Sequence, residues 1–266
     1  MTTGRPPGGS AGAGADGSTG DGEIAVGEGR PYLSVVLPAH NELMLLGSTV
    51  TNLVSGLDAR GLDYEILVVE NGSRDGTLRL ARILAAQIPR LRLLTLPVGD
   101  YGAALRAGFL AARGSVVVNF DVDYYDFGFL DTALALVRSG DAAVVVASKR
   151  APGASDRRPL LRRLLTAGFA ATLTAGLGLQ VTDAHGMKVL RREALEPVVG
   201  RCVMRGSLFD VEMVLRAGHA GLDVREVPAV VVEVRPPRTP VWRRSIESFA
   251  GVVHLRRQLD RERRAG

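Results

Sequence analysis

Two carboxylates stand one residue apart at Asp121 and Asp123, directly after the apolar run Ser115–Phe120. The run predicts a buried strand, and ligands of open α/β sheets bind in the crevice beyond the carboxyl ends of the strands. In the turn after a strand, two acids can converge on one cation, and their hard oxygen atoms suit Mg²⁺ or Mn²⁺ bridging to a phosphate. On its own the pair is more typical of a solvated surface turn, so the neighbouring motifs are needed to distinguish a metal site from such a turn.

Polar residues also follow the two preceding strong strand predictions. His40, Asn41 and Glu42 come after the first strand, and Asn41 is placed to cap the next helix. Glu70 and Asn71 come after the second strand, before a glycine that permits a tight turn. A further polar cluster, Gly99-Asp100-Tyr101-Gly102, opens a helix whose free N–H groups would face an anion. Ordinary turns and helix caps are the alternative explanation for each cluster.

Apolar runs alternate with segments of helical period along the first 150 residues. The predicted strands are Tyr32–Pro38, Tyr64–Val69, Leu91–Leu96, Ser115–Phe120 and Ala142–Ala147, and the predicted helices are Glu42–Leu57, Thr77–Ala86, Tyr101–Ala112 and Phe129–Val137. This alternation predicts an α/β fold with a mainly parallel central sheet flanked by helices. The later part predicts a helix at Arg162–Ala175, a short strand at Met187–Leu190, a helix at Phe209–Ala220 and an edge strand pair within Asp223–Val234.

The composition of the 266 residues, 46% of them hydrophobic, fits one domain with tails. A net charge of +5 with many arginines after residue 149 indicates an anionic partner, while 5% aromatic residues offer few platforms for stacking nucleic-acid bases. Cys202 is the sole cysteine, which excludes a disulfide framework and fits a cytoplasmic protein. Residues 1–30 predict a disordered Gly/Ser-rich tail without the apolar stretch of a signal peptide.

Two segments bear on membrane contact. Leu164–Thr182 carries no charge, but its glycines and threonines make it only mildly hydrophobic, so a buried or interfacial helix is favoured over a span. Residues 241–266 predict a basic amphipathic helix with Trp242, Ile246, Phe249 and Val253 at helical spacing. Such a helix either lies in a membrane surface or docks on the preceding domain.

Taken in order, four segments resemble family-2 glycosyltransferases: Val35–Glu42, Ile66–Thr77, Gly102–Gly108 and Asp121–Asp123. Three later segments, Thr182–Arg192, Phe209–Glu212 and Gly221–Pro228, are similar to polyprenyl-phosphate sugar transferases, of which the dolichol-phosphate mannosyltransferases are the best known. The resemblance implies a GT-A fold over residues 31–240, a nucleotide-sugar donor, a divalent metal and a polyprenyl-phosphate acceptor. An enzyme with a lipid acceptor would work peripherally at the cytoplasmic membrane face.

The resemblance also implies roles for individual residues. The donor pocket would be lined by Pro38, Ala39, His40, Glu42, Glu70, Asn71, Asp75, Gly102, Asp121, Val122 and Asp123, with Asp121 and Asp123 holding the metal. The sugar and acceptor would face Asp183, Gly186, Lys188 and Arg238, and the basic second half adds Lys149, Arg150, Arg162 and Arg163 as candidates for the acceptor phosphate. The chain departs from the family pattern at Glu70-Asn71, Asp100, Tyr125 and His185.

We therefore expect an inverting, metal-dependent transferase that moves a hexose from a nucleotide sugar to polyprenyl phosphate. The expected hexose is mannose, and the expected donor is GDP-mannose. A UDP-sugar with a saccharide or soluble acceptor is the second possibility. A hydroxyl acceptor needs a general base, for which Asp210 and Glu212 are the candidates. The non-enzyme alternative is a basic module that binds nucleic acid or an anionic membrane.

Overall fold

The computed structural model describes residues 29–148, 151, 155–156, 168, 181–182, 184–231 and 251–262. Nearly all of the tail predicted at residues 1–30, and nearly all of the uncharged segment 164–182, lie outside these ranges. So do several acceptor candidates, namely Lys149, Arg150, Arg162, Arg163, Asp183 and Arg238.

Every strand and helix predicted up to residue 148 is present, with small shifts at the ends. The strands are β1 (Leu33–Ala39), β2 (Tyr64–Asn71), β3 (Leu91–Leu96), β4 (Val116–Asn119), β5 (Val144–Ser148), β6 (Ser155–Asp156), β7 (Lys188–Arg191), β8 (Val224–Pro228) and β9 (Val230–Val231). The helices are α1 (Leu43–Asp58), α2 (Thr77–Gln87), α3 (Tyr101–Ala111), α4 (Phe127–Arg138), α5 (Arg192–Val199), α6 (Leu208–His219) and α7 (251–262). The sequence did not predict α5, which is short and contains Pro197.

Seven strands form one mixed sheet in the order β3-β2-β1-β4-β7-β5-β8. Strand β7 runs antiparallel to both of its neighbours, and the other pairings are parallel. The stretch Asp223–Val234 does contain two strands, but they belong to different sheets. Strand β8 closes the main sheet beside β5, whereas β9 pairs with β6.

Helices cover both faces of this sheet. Side chains of a strand alternate between the two faces, so in β1 Val35 and Leu37 pack in the core layer of α1, α2 and α4, while Val36 packs in the layer of α3, α5, α6 and α7. Burial on both faces explains the continuous apolar runs of β1, β2 and β4. Because these three strands are parallel, the polar residues at their carboxyl ends meet at one edge of the sheet.

The described part of the C-terminal helix docks on the domain. Val252, Leu255 and Leu259 are buried in the core layer of α6, whereas Val253 of the predicted apolar stripe is half exposed. Glu262 adds an ion pair with Arg216 of α6 at 2.8 Å. Within the described ranges, no helix combines the length and the apolar character that crossing a bilayer requires.

Candidate active site

The acidic turn after β4 is fixed by hydrogen bonds to its own backbone and to α1. The N–H groups of Asp121 and Tyr124 each donate to the carbonyl oxygen of the other, at 3.0 and 3.1 Å. The buried hydroxyl of Thr49 donates to the Val122 carbonyl at 2.6 Å. Tyr125 turns towards α1, where its hydroxyl accepts from Asn52 at 3.0 Å. The two acids are therefore held without Tyr125, which does not join them as a ligand.

Three carboxylates gather where β4 ends and α6 begins. Burial is the main cause that raises the pKa of Asp121 to about 6, followed by the charges of Asp210 and Asp123. The Tyr101 hydroxyl donates to Asp121 Oδ1 at 3.3 Å, and burial with the nearby carboxylates raises the pKa of Tyr101 well above its ordinary value. Crowded, partly desolvated oxygen atoms of like charge are the environment that a divalent cation stabilises, so this donor set fits Mg²⁺ or Mn²⁺.

The protein supplies few ligands to such an ion. In the part of the chain that the structure describes, no three His, Cys, Asp or Glu side chains are arranged to hold a metal. Asp121 and Asp123 would therefore share the ion with oxygen atoms of a bound phosphate or with water. Sharing of this kind is typical of Mg²⁺ sites that use one or two carboxylates and the phosphates of a substrate.

Lys188 lies behind the acids rather than on an acceptor surface. Its side chain is fully buried, and Nζ donates to Asp210 Oδ1 and to the Gly186 carbonyl, both at 2.8 Å. Burial acts to raise the pKa of Asp210, but the Lys188 ammonium and the nearby His185 ring, whose Nδ1 lies 3.8 Å from Asp210 Oδ2, outweigh it and hold that pKa below its ordinary value. The predicted contact of Lys188 with the acceptor is corrected, because a buried ammonium that neutralises Asp210 cannot reach a substrate.

The prediction for Glu212 is also corrected, because its carboxylate is engaged inside the core. It is fully buried, and Oε2 accepts from the backbone N–H groups of Val203 and Met204 at 2.8 and 2.7 Å. Oε1 accepts from Arg216 Nε at 2.9 Å. A carboxylate whose oxygens are all engaged inside the core has no access to an acceptor hydroxyl. The structure thus contradicts the expectation that Glu212 is a general base.

The ends of β1 and β2 are joined through His40. The ring nitrogen Nδ1 lies 2.6 Å from the Asn71 carbonyl oxygen, and Nε2 lies 3.0 Å from Asn41 Nδ2. A carbonyl only accepts and an amide nitrogen only donates, so the proton is on Nδ1. Asn41 has a left-handed φ of 55°, and its oxygen accepts from the Arg74 N–H. It therefore joins the β2–α2 loop instead of capping α1 as predicted.

Asp75 provides the cap that Asn41 does not. Its Oδ2 accepts from the Leu43 N–H at 3.2 Å, and its Oδ1 accepts from the Thr77 N–H at 3.0 Å. Burial acts to raise its pKa, but these hydrogen bonds and that of the Thr77 hydroxyl lower it overall. Asp75, predicted to contact the donor, shapes the loop beside the crevice through these bonds.

The next loop is tied to the crevice by Asp100, which the sequence placed in the polar cluster before α3 but not among the donor residues. The Asp100 N–H donates to Asn71 Oδ1 at 2.9 Å. Its carboxylate caps α3 through the Ala103 N–H and also accepts from the Gly206 N–H, both at 3.0 Å. Gly102 then lies so close to the segment before α6 that a Cβ atom would be 2.8 Å from the Gly206 oxygen. The available signal for Asp100 was its position directly before the first residue of α3, where aspartate is a preferred N-cap.

The structure brings most of the predicted donor residues to one edge of the sheet. Pro38 and Ala39 end β1, Glu70 and Asn71 end β2, and Gly102 is the second residue of α3. The Glu70 carboxylate accepts from the Ser73 N–H at 2.6 Å and stabilises the turn that follows β2. His40, Glu42, Asp121, Val122 and Asp123 follow the same strand ends, and Asp210 approaches from α6.

Comparison with known proteins identifies the family. A model described as glycosyl transferase family 2 matches residues 34–199, which include all three strand ends and the acidic turn. The chain belongs to this family. A dolichyl-phosphate beta-glucosyltransferase of Dictyostelium discoideum is 26% identical over 85% of this chain and 74% of its own length. The dolichyl-phosphate beta-glucosyltransferase ALG5A of Trichomonas vaginalis is 30% identical over 74% of this chain.

The resemblance to polyprenyl-phosphate sugar transferases is therefore confirmed. This family-2 glycosyltransferase spans 64% of the Trichomonas protein, and it covers 32% of glycosyltransferase AglD of Haloferax volcanii, to which it is 33% identical. The GT-A-like fold is confirmed by glucosyl-3-phosphoglycerate synthase of Mycobacterium tuberculosis, solved with uridine diphosphate. The TM-score is 0.64 at 23% identity, over 86% of this chain and 80% of that one. The same synthase has been solved with Mn²⁺ and UDP-glucose.

Proposed function

We propose that this glycosyltransferase moves glucose from a nucleotide sugar to a polyprenyl phosphate, with inversion and with a divalent metal at Asp121 and Asp123. The observation that carries the proposal is the acidic turn, held at the same sheet edge as the polar ends of β1 and β2. Glucose replaces the mannose expected from the sequence, because the named relatives are dolichyl-phosphate glucosyltransferases.

The two carboxylates would share the metal with the diphosphate of the donor. A bound divalent ion supplies neutralisation of the charge that develops on the leaving nucleoside diphosphate. The residues around the acids keep them in place for this purpose. Thr49 fixes the backbone between them, and Tyr101 orients the Asp121 carboxylate.

The two candidate bases, Asp210 and Glu212, are both engaged in other contacts, and this favours an acceptor that is already ionised when it binds. Glu212 is fully engaged inside the core. Asp210 is paired with buried Lys188, and the lowered pKa makes its carboxylate a weak base. A hydroxyl acceptor would need a proton removed, whereas a lipid monophosphate carries its charge at neutral pH. Neither of the two predicted bases is therefore available to remove a proton, which supports a phosphate acceptor.

A lipid acceptor also implies work at a membrane surface, and we propose peripheral attachment at the cytoplasmic face. We do not attribute this contact to α7, because its Val252, Leu255 and Leu259 are buried inside the domain. Membership of the family disfavours the alternative of a basic nucleic-acid or membrane module without catalytic activity.

A transfer assay with radiolabelled donors tests the proposal. UDP-glucose is the first donor, because a protein of the same fold binds it, and GDP-mannose is the second. Each is combined with polyprenyl phosphate or with a soluble sugar, with Mn²⁺, Mg²⁺ or EDTA. We expect labelled lipid from a glucose donor in the presence of metal. Labelled soluble product without labelled lipid would contradict the proposal that the acceptor is a polyprenyl phosphate.

Two substitutions of aspartate distinguish loss of the metal site from a general effect of removing a carboxylate. Asp121→Asn should abolish transfer, because it removes a charge from the proposed metal ligands. Asp131→Asn is the matched control on α4, where the carboxylate is half exposed and pairs with Arg60 at 2.8 Å. It should transfer as the wild type does. Full activity of Asp121→Asn would overturn the metal-dependent mechanism.

A further inference from the structure

The segment that joins α5 to α6 is anchored by carboxylates from two elements of the fold. On the core side, the buried Glu212 carboxylate accepts from the N–H groups of Val203 and Met204 at 2.8 and 2.7 Å. On the crevice side, Asp100 Oδ1 accepts from the Gly206 N–H at 3.0 Å. Arg205 is the residue between these two anchors. Its backbone is therefore held by carboxylates that face it from different elements of the fold.

The side chain of Arg205 is free to move although its backbone is held. It is 87% exposed, and its Nε lies 3.6 Å from Asp100 Oδ2. This distance is too long for a strong hydrogen bond, and ion pairs in solvent contribute little to stability. The guanidinium can therefore leave Asp100 for another anion without a large cost. Its planar set of donors matches two oxygen atoms of a phosphate.

Among the described residues, the charged groups near Arg205 are mostly acids. Asp121, Asp123 and Asp210 make the crevice acidic, and the ammonium of Lys188 is buried and engaged. Asp100 directly precedes Tyr101, whose hydroxyl donates to Asp121 at 3.3 Å. The carboxylate that Arg205 approaches therefore belongs to a loop that borders the same crevice.

We propose that Arg205 binds a phosphate group of a substrate during transfer, and that Asp100 and Glu212 position the segment that carries it. The inference rests on the proposed function, which brings two phosphate groups to this crevice. One is the diphosphate of the donor and the other is the monophosphate of the acceptor. The chemistry of recognition is the same for both, so separate titrations of the two substrates must distinguish them.

The first test compares Arg205→Gln with the wild type in the transfer assay, with each substrate titrated in turn. Loss of a charge-assisted contact should raise the KM of the substrate bound by Arg205 about tenfold or more. A higher KM for the nucleotide sugar assigns the donor diphosphate, and a higher KM for the lipid assigns the acceptor. Arg205→Lys should recover part of the loss, since it keeps the charge but not the planar donors.

Two controls exclude a general effect of arginine removal. Arg82→Gln changes an exposed arginine on α2 and should leave both KM values unchanged. The melting temperature of Arg205→Gln should equal that of the wild type, because the side chain is exposed. Unchanged KM values for both substrates in Arg205→Gln would overturn the inference.

A double substitution separates phosphate binding from simple neutralisation of Asp100. Asp100→Asn removes the charge but keeps an oxygen for the N–H groups of Ala103 and Gly206. If Arg205 only neutralised Asp100, adding Asp100→Asn to Arg205→Gln would restore the KM, and that result would overturn the inference. If Arg205 binds phosphate, the raised KM persists. A wild type without transfer on any donor would instead count against the proposed function.

Discussion

Glu212→Gln is the substitution for which the structure departs most from expectation based on sequence. One carboxylate oxygen accepts two backbone N–H groups, and the other accepts Arg216 at 2.9 Å. A glutamine can accept from either the two backbone N–H groups or Arg216, but not from both. Its amide oxygen would serve one group of donors, and its amide nitrogen, itself a donor, would face the other. Arg216 retains Glu262 as a counterion, so the variant does not leave an uncompensated buried charge.

The expected cost follows from this geometry. Loss of one buried, charge-assisted hydrogen bond lowers the free energy of unfolding by about 2 kcal/mol. For a domain of this size, that loss corresponds to a melting temperature lower by about 4–8 °C. Because the carboxylate does not face the crevice, we expect kcat at a temperature well below the transition to stay within the same order of magnitude.

Urea unfolding followed by circular dichroism measures the stability, and the transfer assay measures kcat on the same preparations. Glu193→Gln, at an exposed position in the first turn of α5, is the matched control and should change neither quantity. Removal of a general base typically costs a factor of about 10²–10⁴ in rate. A loss of that size with unchanged stability would refute our interpretation and restore Glu212 as the base.

Three other contacts are tested by substitution. Gly102→Ala should lower the free energy of unfolding by about 1–3 kcal/mol, because its Cβ would lie 2.8 Å from the Gly206 oxygen. Gly218→Ala has open space and should be neutral or stabilising in the same urea experiment; equal losses would contradict the close approach. Thr49→Val should raise the Mn²⁺ concentration needed for half-maximal transfer, while Thr49→Ser, which keeps the hydroxyl, should not. The pKa of Glu262 is lowered, first by its hydrogen bond from α6, from an ordinary value of 4.5. Its stabilising contribution is therefore present above that value and is lost at lower pH, so the melting temperatures of wild type and Glu262→Gln should differ at neutral pH and converge as the pH falls well below 4.5. A constant difference would exclude this ion pair as the cause.

The order of strands and helices and the position of the crevice could be predicted from local patterns. Alternation of side chains along β1 and apolar runs in β2 and β4 determine which segments enter a parallel sheet. The direction of parallel strands then requires that Asn71 and Asp121 meet at one edge. The motifs at these ends were sufficient to indicate the family, which the comparison confirmed.

The roles of residues on α6 could not be predicted in this way. Asp210 and Glu212 are two positions apart, and residues at that spacing do not share a face of a helix. Which of them meets the acidic turn depends on how α6 packs on the sheet. The role of Lys188 could not be predicted either, because a strand residue near the site can face either the solvent or the core.

Local patterns in the sequence were enough to predict the fold class, the family and the sheet edge at which the polar strand ends meet, because periodicity and the polarity of strand ends are local properties of the chain. Which charged groups are paired inside the protein became known only from the way the helices pack on the sheet. Lys188 meets Asp210, Arg216 meets Glu262, and Asp100 meets Gly206 across gaps of 22, 46 and 106 residues. Contacts at such separations depend on packing, and no local pattern encodes them.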